Sequence, residues 1–164
     1  MSKNIQKKFI YFFITWLIGI FIAGNYCQFF QEKLNFFEGV IPAINSYALA
    51  AKFQCLAGSV WNYAWIVAPA FIIWIFYCVY YEDMSLDIYV HMKTPWIVFF
   101  IQIALFLMCF YGLYEPYPGE AKGVWARFYS ETALGVYVVT SFIWLGFYLA
   151  LLVNMLWIKS LFTK

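Results

Sequence analysis

The sequence predicts an all-α membrane protein, a four-transmembrane-helix bundle with room for an interfacial helix in its first outer loop, and three observations predict it. Of 164 residues, 66% are hydrophobic and 11% charged, against about 25% charged in an ordinary soluble domain. So short a chain cannot bury that much apolar surface in itself, because small domains hide the smallest share of their surface. Aromatic residues make up 25%, with 8 Trp and 14 Tyr; these two gather where hydrocarbon meets water, since the ring is apolar and its N–H or O–H needs a partner. Four segments also reach the roughly 20 apolar residues a helix needs to cross about 30 Å of hydrocarbon.

The first span runs from Phe9 to Phe30, the second from Val60 to Tyr81, the third from Pro95 to Tyr114 and the fourth from Thr132 to Trp157, all in one integral membrane domain without repeat, linker or second domain. The first apolar run outlasts a signal-peptide core. Phe21 also stands where a cut after Ala23 would need a small residue, so the segment reads as an anchor. In the loop after it, Asn45, Lys52 and Ser59 recur every seven residues among apolar neighbours. This predicts one mostly apolar helix with a narrow polar stripe, lying in the interface or extending the second span. Pro69 falls inside the second span and predicts a kink there. Pro95 suits a first helical turn, and Pro116 with Pro118 stops the third span. The stretch from Glu115 to Glu131 reads as an aromatic-anchored loop leading into the fourth span.

Orientation follows from lysines. Lys3, Lys7 and Lys8 precede the first span, and Lys159 and Lys164 follow the fourth. Positive residues stay on the cytoplasmic side, and four spans put both termini there, in an inner membrane. The loop between spans two and three, with Glu82, Asp83, Asp87 and Lys93, is nearly silent under this rule.

Chemistry is mostly excluded. The single histidine, His91, reads as a solvated loop residue and cannot form a paired haem ligand set; no His, Cys or carboxylate cluster has metal-ligand spacing. No phosphate loop or nucleophile elbow occurs. We therefore expect no catalytic residue, no metal, no cofactor and no nucleic-acid partner. Cys27, Cys55, Cys78 and Cys109 lie too far apart in sequence for a Cys-x-x-Cys redox centre. Two readings stay open for them: a structural Cys27–Cys55 disulfide, or packed thiols. Polar residues inside the spans are Thr15, Gln102, Thr140, Ser141 and Asn154, none of them charged, which argues against a proton relay. Gln102 needs a hydrogen-bonding partner, inside the bundle or on another protein's helix. The small-residue pairs Gly19 with Ala23 and Gly146 with Ala150 allow close helix approach of either kind. What remains is a protein whose partners are the lipid bilayer and another membrane-inserted protein. It either binds that protein as its task or belongs to a larger inner-membrane machine, such as a secretion or conjugation complex, as a small structural subunit.

Three places carry a resemblance that separates these readings. Ile41-Pro42-Ala43-Ile44-Asn45-Ser46 precedes the second span, Ala68-Pro69 lies within it, and Leu113-Tyr114-Glu115 with Gly119 opens the third loop. In order and spacing they resemble the four-span inner-membrane immunity proteins of pore-forming colicins, of the colicin A, B and N type. The inner loop departs from that family, being acidic where the family's is basic, and the third loop carries two prolines and lacks the family's paired threonines. The resemblance implies a bacteriocin immunity protein that binds the membrane-inserted helices of a cognate pore-forming toxin and blocks pore opening. The residues expected to meet that partner are Pro42, Pro69, Gln102, Glu115 and Arg127.

Overall fold

The computed structural model describes residues 3–33, 37, 39–81, 95–114 and 123–162, and every regular element among them is α-helix. In chain order these are α1 (Lys3–Asn25), α2 (Cys27–Lys33), α3 (Pro42–Ala50), α4 (Gln54–Tyr80), α5 (Pro95–Tyr114), α6 (Val124–Glu131) and α7 (Ala133–Phe162). Within them, α4 and the Ala133–Lys159 stretch of α7 are long and apolar enough to cross a membrane; Ile10–Asn25 and Cys27–Lys33 qualify together as a third, bent by 89°. The apolar stretch of α5, Phe99–Met108, is shorter than a crossing. The all-α expectation therefore holds, with two or three helices of crossing length where the sequence predicts four. The inner loop with His91, and Glu115 and Lys122, lie outside the described residues, as do the side chains of Gln102 and Cys109.

The first span is not one straight helix. The chain turns at Tyr26, although local bonds continue across the turn, Tyr26 N–H donating to Ile22 O at 2.9 Å and Phe30 N–H to Tyr26 O at 3.2 Å. No proline marks the place, so the cause is tertiary. Cys27 is joined to Cys55 at the start of α4, Cα to Cα 5.5 Å. The Ser59 hydroxyl meets the Cys27 carbonyl at 2.9 Å. At Gly58 an added Cβ would come within 3.1 Å of Gln31 Nε2 and 3.6 Å of the Ala48 methyl, so α2, α3 and α4 converge there.

The predicted single helix through Asn45, Lys52 and Ser59 is two helices. Ala51 is extended, at φ −94° and ψ 141°, and the Lys52 N–H donates to Ser130 O at the end of α6, at 2.7 Å. A backbone donor spent on another element cannot continue its own ladder. Asn45 consequently sits exposed on α3, Lys52 in the break, and Ser59 buried in α4.

Cross-helix contacts give the direction of each long helix. Phe12 stacks on Trp74 at 4.7 Å and Trp16 meets Phe71 edge-on, so α1 and α4 are antiparallel. Trp65 meets Trp144 at 5.1 Å and Phe71 stacks on Tyr148 at 4.3 Å, so α4 and α7 run the same way. Phe106 lies on Phe147 at 5.2 Å and Phe99 on Trp157 at 3.7 Å, so α5 opposes α7. Direction thus alternates along the chain. The packing is an open row, α1–α4–α7–α5, rather than a closed bundle: α5 packs mainly on α7, and α1 and α7 each pack on α4 but barely on each other. The small residues of α1 serve this row from inside. The Tyr63 ring of α4 crosses α1 at Gly19, the Tyr137 hydroxyl of α7 sits against Gly24, and Ala23 between them is fully buried.

Candidate partner-binding site

The end of the row that carries α2, α3 and α6 is knit by polar contacts. Thr132 opens α7 as its cap, its hydroxyl oxygen accepting the Gly135 N–H at 2.8 Å, the usual way of satisfying a free helix N–H. That leaves α6 folded back so that Tyr129 enters the core, where it is fully buried. Trp61 Nε1–H donates to the Tyr129 hydroxyl at 3.1 Å, and that hydroxyl donates to the Tyr47 carbonyl at 3.0 Å. The Tyr47 ring stacks on Trp61 at 4.1 Å. One tyrosine from α6 therefore ties α3 to α4. Around this knot the cap presents exposed Val40, Leu49, Phe53, Val124 and Trp125 beside exposed Lys52 and Arg127, the mixture expected of a surface at the water–lipid boundary.

The five residues expected from the sequence do not come together. Pro42 opens α3 and is exposed; Arg127 is exposed on α6, at the same end of the molecule. Pro69 is exposed too, but roughly 22 Å along α4 from its first residue at ~1.5 Å per residue. It heads an exposed stripe with Ile73, Phe76, Tyr77 and Tyr80. Gln102 belongs to α5, with its side chain outside the described residues, and so does Glu115 as a whole.

Of the other polar residues in the spans, Thr15 donates to Tyr11 O at 2.8 Å and the Asn154 amide N–H to Ala150 O at 2.8 Å, while the buried Asn154 Oδ1 has no hydrogen-bond partner. Thr140 Oγ1, Tyr148 Oη and the indole nitrogens of Trp16, Trp65 and Trp144 are buried with no hydrogen-bond partner. Trp16 lies perpendicular to the Tyr148 ring, and Trp65 to Trp144. Sequence reading missed Asn62, buried in α4, and Tyr129; nothing in their spacing distinguishes them from interfacial polar and aromatic residues. Among the described residues no three His, Cys, Asp or Glu side chains gather as a metal site would need. Comparison of the chain with protein-family models, curated proteins and solved structures finds no match.

Proposed function

We propose that this chain is a membrane immunity protein, which binds the inserted helices of a cognate pore-forming toxin and keeps the pore shut without catalysing any reaction. The observation that carries the reading is Pro69. It is the proline of the Ala68-Pro69 pair that resembles the colicin-immunity family, and it lies on an exposed face in the middle of α4. A proline cannot donate to the carbonyl four residues back, here that of Trp65. Lipid tails offer no donor, whereas a neighbouring helix with a hydroxyl or amide does. A helix arriving laterally from the bilayer therefore finds both a shaped apolar stripe and a backbone acceptor.

In this reading α5 also crosses, as its 20 residues reach about 30 Å and its direction fits the alternation. The Cys27–Cys55 disulfide supports an orientation with α2, α3 and α6 on the oxidising, outer side of an inner membrane, and both termini in the cytoplasm. Lysine placement argues the same way. A membrane-impermeant thiol reagent should label Lys52→Cys or Arg127→Cys in intact cells and not Ser85→Cys. The decisive experiment measures membrane potential in cells exposed to pore-forming colicins of the A, B and N type. The wild-type chain should preserve the potential, and Pro69→Ala should lose protection at equal protein level. Loss of potential with the wild-type protein inserted removes the reading. The edge position of α5, with Trp96, Ile97, Phe100, Ile101 and Leu105 exposed, favours the alternative of a subunit within a membrane machine. Stable co-purification with several other membrane subunits would mark that alternative.

A further inference from the structure

Where α1 and α7 fail to meet, a groove follows the line between them. It consists of two hollows of about 260 and 250 Å³. Both are lined by Phe13 and Leu145, so they adjoin. Along α7 the groove extends from Tyr137 to Leu152, roughly 22 Å at ~1.5 Å per residue. On α1 it runs from Leu17 back to Ile10, toward the chain terminus. Its walls are hydrocarbon and ring faces apart from Ser141 and Tyr137, whose hydroxyl sits against Gly24, since the Trp16 nitrogen and Tyr148 oxygen are buried.

A helix with side chains is about 10–12 Å across, and α1 touches α7 in places, so a partner helix does not enter. An extended hydrocarbon chain does. Charge at one end identifies the rest of the occupant. Lys7 stands one turn before Ile10, is exposed, and lies on the same helix face by its three-residue spacing. The first turn of α1 has no acidic residue. A lysine at the depth of the headgroups attracts a phosphate.

We propose that an anionic phospholipid, from the leaflet on the side of the chain termini, lays one acyl chain in the α1–α7 groove and sets its phosphate against Lys7. The inference needs membrane insertion but not the immunity reading. The test is native mass spectrometry of the full chain in detergent, titrated with phosphatidylglycerol or phosphatidylethanolamine of equal chain length. Phosphatidylglycerol should be retained in preference. Lys7→Gln should reduce that preference about fivefold, equivalent to the roughly 1 kcal/mol of one lysine near an anionic surface. Leu145→Trp, which fills the groove, should abolish retention, and Val138→Phe offers the same reading at the second hollow if Leu145→Trp does not fold. Equal retention of the two lipids by the wild-type chain overturns the proposal. So does full competition by inorganic phosphate, which would mean an anion site without the groove, or equal retention of a six-carbon-chain phosphatidylglycerol. Dimerisation that Leu145→Trp disrupts would make the groove a contact between copies and also overturn it.

Discussion

The end of the row bearing α2, α3 and α6 and the membrane-depth layer beneath it are held by different chemistry. At the cap, separate elements are joined by a disulfide, by the Tyr129 knot and by the Lys52-to-Ser130 backbone bond. At depth the helices meet through aromatic rings and small residues, as at Phe71–Tyr148 and Gly19–Tyr63. At the far end a polar link joins two of the long helices, where Lys159 Nζ donates to the Val79 carbonyl at 2.9 Å, in the last turn of α4. The contrast follows from solvent. Short helices and turns near water would fray without directed links, since helices under about 12 residues are marginal alone. Long apolar helices in lipid satisfy their own backbones and need only close packing.

Substitutions at three links test how far this division holds, beginning with the largest expected effect. Cys27→Ser with Cys55→Ser, or reductant, should lower unfolding stability by up to about 3.5 kcal/mol, the chain-entropy value for a 28-residue separation. Thermal unfolding in detergent would read this, and an unchanged midpoint would mean the bend at Tyr26 is held by packing alone. Tyr129→Phe should cost about 2 kcal/mol, because the buried Trp61 N–H and Tyr47 carbonyl both lose their partner. Limited proteolysis should then cut first around α3 and α6, while the long helices stay protected; uniform loss of protection would mean cap and layer unfold as one. Lys159→Met should cost about 1 kcal/mol, the size of a helix C-terminal charge contact, with Lys159→Arg close to wild type. A loss as large as that of Tyr129→Phe would show that polar links govern both ends equally.

For the candidate site, Pro42, Pro69 and Arg127 are exposed, and the sequence already sets Pro69 along the second span, away from the other two in their loops. Distance along a helix is legible from numbering; which side faces lipid is not, because in α4 nearly every position is apolar. Ser59 is the reverse case. Its seven-residue spacing from Lys52 and Asn45 suggested a shared polar stripe, and it proved to be a buried link to α2.

What the sequence determined by itself is the all-α class. Apolar runs and prolines are local signals, so apolar helices follow from them, and the bounds of the third predicted span are those of α5, although among the described residues only α4, α7 and the bent α1–α2 pair reach crossing length. Tertiary structure decided what no local pattern encodes. It bent the first span by 89° without a proline, divided the first loop into α3 and the start of α4, brought Tyr129 under α3, and let α1 and α7 touch only in places. Each of these depends on a partner distant in sequence, Cys55 for Cys27 and Tyr47 for Tyr129. In lipid, where burial alone does not choose between helix faces, such specific contacts select the arrangement.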